Sequence, residues 1–316
     1  MTGVVPLLAL ITAVSVPGIA EADDGTIVFG RGKSLYQISA TGKGKAREVA
    51  KLPTDASKID SIHAAASGSM ILVTLKGKPG FVKMSTNSVP MVEALECEGP
   101  AKLSPDGLCV VCRHRNGGSV LYKLLPKVRS KLLPQITGDH VSFYGSAQGR
   151  LVQVDKDRGI LLSSTKRGAK SKLLAPHKPT MLLVAPNGKR AVGLFKDDGD
   201  AVFSFRLDGK GARRKLTNGK LVGWSASSKW VMVQDGDSAC VVRATGGQYR
   251  CWRDYRVLSV SSTDEAILLS KKEGRRTQLY RASLGGARSA KPVLLVKNAR
   301  GAAVWLAPQQ ADAKDN

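Results

Sequence analysis

Cys97, Cys109, Cys112, Cys240 and Cys251, the five cysteines of this 316-residue chain, have the spacing that most directly suggests covalent chemistry. Cys240 and Cys251 flank Ala244-Thr245-Gly246-Gly247, which reads as the bend of a two-stranded hairpin. With Thr245-Gly246 as a two-residue turn, the two side chains stand opposite each other at a distance suited to a disulfide; the alternative is a pair of buried thiols. Extending a second hairpin outward from Ser104-Pro105-Asp106-Gly107 brings Cys112 nearer than Cys109 to the segment around Cys97, so Cys97–Cys112 is the expected second bridge. Cys109-Val110-Val111-Cys112 has the C-x-x-C spacing of a redox pair or of half a zinc site. Such a pair normally opens a helix, whereas the β-branched residues here predict a strand, in which residues three apart face opposite sides.

Other candidate motifs fail on their surroundings. Gly145-Ser146-Ala147-Gln148-Gly149 misplaces its serine for a nucleophile elbow, and Ser163-Ser164-Thr165-Lys166 has an S-x-x-K spacing without the companion elements of a penicillin-binding site. Gly32-Lys33-Ser34 resembles the end of a phosphate-binding loop, but Ile27 stands where that loop needs glycine, and a strand is expected to follow. His63, His114, His140 and His177 are scattered without carboxylates at metal-ligand spacing, and each reads as a structural or surface histidine. Asp197-Asp198-Gly199-Asp200 and Asp235-Gly236-Asp237 are ordinary turn sequences that do not continue into a calcium loop. No catalytic residue, metal or cofactor is therefore assigned.

The remaining chemistry is cationic. Forty-nine Lys and Arg against 25 Asp and Glu give a formal net charge of +24, an excess that favours polyanionic partners or serves solubility alone. Much of it falls in five clusters: Lys43, Lys45 and Arg47; Lys127, Arg129 and Lys131; Lys166, Arg167, Lys170 and Lys172; Lys210, Arg213, Arg214 and Lys215; Arg288 and Lys291. Aromatic residues are 5% of the chain and do not interleave with the clusters. That argues against a base-stacking nucleic-acid surface.

Positioning these clusters falls to short apolar runs with polar alternation, such as 26–29, 70–74 and 230–234, each ended by Gly, Asp, Asn or Lys; they read as strands, and no convincing amphipathic helix appears. The strands recur in groups. Ser104-Pro105-Asp106-Gly107 before an apolar run returns as Ala185-Pro186-Asn187-Gly188 and, more loosely, as Ser146-Ala147-Gln148-Gly149, with degenerate copies at 66–68, 225–228 and 261–264. The turn positions 68, 107, 149, 188, 228 and 264 are 39, 42, 39, 40 and 36 residues apart. About forty residues is the length of a four-stranded propeller blade. Proline presets φ, Asp or Asn closes a local hydrogen bond and Gly accepts positive φ, so each copy reverses the chain tightly.

These turns resemble those of the WD40-like repeats of the TolB family, whose blades carry a similar Ser-Pro-Asp-Gly between first and second strands. The resemblance covers most of residues 27–308, with the copies at 104 and 185 nearest the pattern; TolB's separate N-terminal α/β domain has no counterpart. It implies a propeller fold and an envelope location.

The expected architecture is thus an all-β, seven-bladed β-propeller over 23–308. Six full blades occupy 59–98, 100–135, 139–176, 180–218, 221–254 and 257–298, and strands within 26–52 join Ala302–Leu306 in a seventh that closes the ring. All five basic clusters then fall between third and fourth strands, on one rim of the propeller. Val4 to Val16, Pro17-Gly18 and Ala20-Glu21-Ala22 read as a signal peptide cut after Ala22, although no Lys or Arg precedes the apolar run. Residues 309–316 read as a disordered tail, and no transmembrane segment is expected in the mature chain. The leading functional expectation is a noncatalytic periplasmic or secreted scaffold that binds an envelope protein or an anionic surface, glycolipid or anionic lipid. The alternative is a propeller enzyme of lactonase, lyase or quinoprotein type with its site in the central channel.

Overall fold

The computed structural model describes residues 25–307, apart from 54–58, 66–67, 85–88, 146, 275, 286–289 and 300–301. The expected signal peptide over 1–22 and tail over 309–316 lie outside the described residues. Twenty-eight strands form seven four-stranded antiparallel sheets, and a single short 3₁₀ turn, Lys196–Asp198, is the one helical element among the described residues. No helix there is long and apolar enough to cross a membrane. In blades 2 to 7 the strands follow chain order from the central channel outward. Blades 2 to 7 span 59–94, 98–133, 139–175, 181–218, 220–253 and 256–299, within a few residues of the boundaries expected from the repeat.

Blade 1 is composite. Its innermost strand is Ala303–Leu306 from the far end of the chain, and Thr26–Arg31, Ser34–Ser39 and Arg47–Lys51 follow outward. The closing register pairs Thr26 with Leu306, Ile27 with Trp305, Val28 with Val304 and Phe29 with Ala303. Sequence alternation explains why this holds. Side chains along a strand point alternately to the two faces of the sheet, and both faces of a blade are covered by neighbours. Ile27 and Phe29 enter the core shared with blade 7, and Val28 enters the core shared with blade 2. The seven hydrophobic clusters correspond to the seven blade junctions, so the ring has no uncovered sheet face.

The recurrent turns between first and second strands have one geometry. Gly68, Gly107, Gly188, Ser228 and Asp264 have φ of 70°, 77°, 71°, 65° and 63°. Each donates its backbone N–H to the carbonyl three residues earlier, on Ala65, Ser104, Ala185, Ser225 and Ser261. Where that earlier residue is serine, its hydroxyl also accepts the N–H of the first residue of the next strand or its neighbour: Cys109 onto Ser104, Trp230 onto Ser225, Ala266 onto Ser261. Blade 4 departs from the expected phase. Its turn falls at Gly145, with φ of 62°, and Gly149 lies inside the strand Ala147–Asp155. The first and second strands there close with Tyr144 opposite Ala147, which sets the reversal four residues earlier than 149.

Candidate functional site

Both expected bridges are present. Cys97 and Cys112 are bonded with Cα atoms 5.8 Å apart, and Cys240 and Cys251, directly paired across the third and fourth strands of blade 6, are bonded at 4.2 Å. Cys109 is the free thiol. It enters the core between blades 3 and 4 while Cys112 enters the core between blades 2 and 3, so the C-x-x-C pair faces opposite ways as strand geometry requires. Burial pushes the Cys109 thiol up to about 11, with nearby Asp106 adding to the effect, which leaves it protonated and unreactive at neutral pH. Ser163, the serine of the S-x-x-K match, is buried and hydrogen-bonded to Gln153 and Ser171.

Antiparallel order puts the connections between first and second strands and between third and fourth strands at one end of every blade, and the other connections at the opposite end. The former end is here called the rim face. Lys43, Lys45, Lys127, Lys166, Arg167, Lys170, Lys210 and Lys291 are exposed in third-to-fourth connections and so share that face. Arg288 lies outside the described residues. Arg47, Arg129, Lys131, Lys172, Arg214 and Lys215 fall within the fourth strands rather than in the turns, so the basic zone wraps from the face onto the outer wall of the ring. Lys131 bridges blades: its ammonium donates to the Thr165 carbonyl of blade 4 at 2.8 Å.

Arg213 departs from the expected rim position. It turns back along its own blade, with its guanidinium 4.8 Å and 4.5 Å from the ring centroids of Phe195 and Phe203, and pairs with Asp198 at 3.0 Å. It is a packing and ion-pair residue, and its charge is already satisfied. The sequence offered one signal for this, the acidic turn Asp197-Asp198, but only sheet register shows that the arginine reaches it.

The rim face also carries cations missed from the sequence. A pocket of about 690 Å³ between blades 4 and 5 is lined by Arg150, Lys189, Arg190 and Arg206 with Tyr144 and Asp208. Asp208, its one carboxylate, is hydrogen-bonded to Arg206. Arg190 and Arg206 are 16 residues apart in sequence and directly paired across the second and third strands. Desolvation, then the like charges of Arg206 and Arg214, lowers the pKa of Arg190 below the usual arginine value. This cationic cluster is poorly neutralised from within.

The channel is walled by the innermost strands. A cavity of about 230 Å³ is lined mainly by small and apolar residues, among them Ala65, Pro105, Ala185, Val222, Trp224 and Trp305, and no Asp or Glu is among the described lining residues. Trp224 donates its indole N–H to the Leu183 carbonyl at 3.0 Å, tying blades 5 and 6 together at the wall. His63 also lines the channel. Its side chain is exposed to channel solvent with the channel walls around it; the desolvation within those walls, and secondarily the charge of Lys102, pushes its pKa down to about 4. Toward the end opposite the rim, the channel opens into a cleft of about 800 Å³ spanning blades 3 to 6, where Lys102, His114 and His140 come together. His177 lies elsewhere, edge-on to Phe195 and Phe205. Among the described residues no three His, Cys, Asp or Glu side chains are grouped as a metal site.

Comparison with solved structures agrees with this architecture. The C-terminal WD40 domain of Sif2 superposes with a TM-score of 0.52 at 14% identity, over 93% of this chain and 85% of that one. The chain has the WD40-like propeller fold. A putative TolB from Agrobacterium tumefaciens superposes with a TM-score of 0.47 at 14% identity, over 88% of this chain and 91% of that one. No family model and no curated protein sequence matches the chain. At these identities the WD40-like propeller likeness is one of fold, and a fold hosts many functions.

Proposed function

We propose that this protein is a noncatalytic, exported scaffold that lies with its rim face against an anionic envelope surface. The observation that carries the proposal is charge asymmetry between the two ends of the ring. The seven connections between third and fourth strands contain one carboxylate, Asp208, among the basic clusters, and the other turns of that face add Asp106, Asp264 and Glu265; the connections between second and third strands contain Asp157, Asp197, Asp198, Asp200 and Asp237, which offset cations such as Lys33, Lys76, Arg115, Lys156, Arg158 and Lys196. Cations gathered on one flat face act together on a polyanion, each contributing about 1 kcal/mol near an anionic membrane surface. Isolated surface charges are largely screened beyond about 8–10 Å at ordinary salt. The opposite face, with its mixed charge and open cleft, is left free for a partner.

Export is supported by the apolar run ending in Ala20-Glu21-Ala22 and by two disulfides, which persist in oxidising compartments. The channel lining favours a scaffold over acid–base catalysis, since His63 lines a wall without a carboxylate to orient it.

Binding to vesicles of mixed neutral and anionic lipid, with or without phosphorylated glycolipid, tests the reading. Affinity is expected to fall steeply as salt rises. Reversing Lys45, Lys127, Lys166 and Lys210 to Glu should weaken binding at least tenfold more than reversing the exposed Lys78, Lys156, Lys178 and Lys272 at the opposite end. The two variants have equal net charge and are compared after matching their thermal stability. Equal losses would reduce the effect to overall charge, and no binding by the parent would remove the anionic-surface reading.

A further inference from the structure

The cleft at the end of the channel opposite the rim has a half-buried cation at its neck that is not ion-paired with any described residue. Lys102 sits on the innermost strand of blade 3, within the strand Glu98–Leu103, where it pairs with Val111, and its ammonium makes no hydrogen bond or ion pair with any described residue. Its desolvation lowers its pKa below that of an ordinary lysine. Burial is the main cause that lowers His63 and His140, with the charge of Lys102 adding to it at each, while Asp139 and the Thr180 backbone act against it at His140. Lys102 is therefore near enough to both His63 of blade 2 and His140 of blade 4 to interact with each. An enclosed ammonium without a counter-ion costs stability, and an anion brought to it recovers that cost.

The wall beside it has a different character. Val141, Met181 and Leu194, each half-buried, line the cleft together with Pro100. Two carboxylates, Glu98 and Asp139, also line it, and Asp139 is paired with Arg113 at 3.2 Å. The volume of about 800 Å³ lies within the range of pockets that enclose small molecules. His140 holds a φ of 54°, an uncommon conformation for a residue other than glycine, at the cleft's edge. Strain of this kind concentrates at binding sites.

We infer that this cleft binds an amphiphilic carboxylate, with its carboxylate on the Lys102 ammonium and its apolar body along Val141, Met181 and Leu194. The site is distinct from the rim and independent of the anionic-surface reading. The carboxylate could belong to a small acid or to a peptide C-terminus, because both present one charge on an apolar body.

Calorimetric titration with octanoate at neutral pH tests the assignment, with octan-1-ol, octylammonium and acetate as controls that remove the charge, reverse it or remove the apolar body. Octanoate is expected to bind one per chain and at least tenfold more tightly than each control. Lys102→Met should lose at least tenfold in octanoate affinity while melting at the same or a higher temperature, since it deletes an unpaired charge and keeps most of the side-chain volume. The quadruple rim variant at Lys45, Lys127, Lys166 and Lys210 should bind octanoate as the parent does. Acetyl-leucyl-leucine and its amide separate the sources: tighter binding of the free acid than of octanoate, with no binding of the amide, places a chain end in the cleft, and the reverse order places a small acid there. Undiminished octanoate binding by Lys102→Met, equal binding of octan-1-ol, or no octanoate binding by the parent at millimolar concentration would overturn the inference.

Discussion

Arg213 shows what happens to a basic residue when sheet register, rather than sequence neighbourhood, decides its surroundings. Its guanidinium lies near Phe195 and Phe203 and pairs with Asp198. Two cation–π contacts at a partly exposed site and one partly screened ion pair together contribute about 1–2 kcal/mol. Arg213→Ala should lower the unfolding free energy by that amount in urea titration, and Lys at the same position should restore only part of it, because an ammonium lacks the planar stacking surface. Lys210→Glu, three residues away and exposed, should fall within about 0.5 kcal/mol of the parent. The cysteines were more legible, because hairpin pairing can be counted from a recognisable turn: Cys240 and Cys251 are equidistant from the centre of Thr245-Gly246, and they pair. Non-reducing peptide mapping should recover Cys240–Cys251 and Cys97–Cys112 as cross-linked peptides, with Cys109 resisting alkylation until the chain unfolds. Replacing Cys240 and Cys251 with Ser should cost roughly 2–3 kcal/mol on the chain-entropy model. His63 gives a pH signature. Its folded pKa of about 4 lies below the unfolded value of 6.5, so the unfolded chain takes up the proton first as pH falls. Stability should therefore decline between about pH 6.5 and 4. His63→Gln should flatten that decline in a series of thermal melts, and an identical profile in parent and variant would show that His63 stays solvated and titrates normally.

At the scale of elements, the turn is the unit that sequence reveals best, because its chemistry is local. Pro, Asp or Asn, and Gly occupy fixed offsets in the copies at 104 and 185, and even the degenerate copies ending at Ser228 and Asp264 adopt the same left-handed conformation. Blade 4 falls out of phase because Ser146-Ala147-Gln148-Gly149 matches the motif in composition alone, and the strand Ala147–Asp155 begins before its glycine. Pairing between strands is less visible. The Arg150, Arg190 and Arg206 pocket joins residues from three strands of two blades, and nothing local to any one of them indicates the others. The same is true of Lys102, His63 and His140. The turns also pack against one another around the rim end of the channel. The Asn187 N–H donates to Ser228 Oγ at 3.0 Å, and Ser227 Oγ donates to Asp264 at 2.6 Å, linking blades 5, 6 and 7. At Gly188, a Cβ would stand 3.0 Å from the Gly145 backbone nitrogen while φ is 71°. Gly188→Ala therefore meets both a backbone clash and an unfavourable dihedral, the latter alone costing about 1–2 kcal/mol. Gly236→Ala, with a φ of 53° and nothing within 4 Å, meets the dihedral penalty alone. The difference in melting temperature between these two variants should isolate the packing of adjacent turns, and equal losses would mean that the ring of turns is loose enough to move aside.

For the whole molecule the decisive event is closure, because seven junction cores around one channel leave no exposed sheet face only when the last strand returns to the first blade. Ala303–Leu306 supplies that strand. Trp305 and Ala303 enter the core between blades 7 and 1, and Val304 and Leu306 enter the core between blades 1 and 2. Without them, two junctions lose side chains at once, and Thr26–Arg31 becomes an unpaired inner edge. Burying a large apolar side chain contributes about 1.5–3 kcal/mol, so Val304, Trp305 and Leu306 together approach the whole stability of a typical domain, about 5–15 kcal/mol. A chain ended at Gly301 should therefore lose its cooperative thermal transition and bind a hydrophobic dye, whereas one ended at Pro308 should melt as the full chain does. Adding a synthetic peptide of residues 302–308 to the shortened chain should restore a cooperative transition in a concentration-dependent way, because the strand binds the folded ring and not the unfolded chain. A chain ended at Gly301 that melted like the parent would show that six complete blades and a three-stranded remnant hold the ring without a closing strand. Loss of folding that the peptide could not reverse would instead mean that closure must occur within the chain as it folds, with the N-terminal strands waiting unpaired until the last strand arrives.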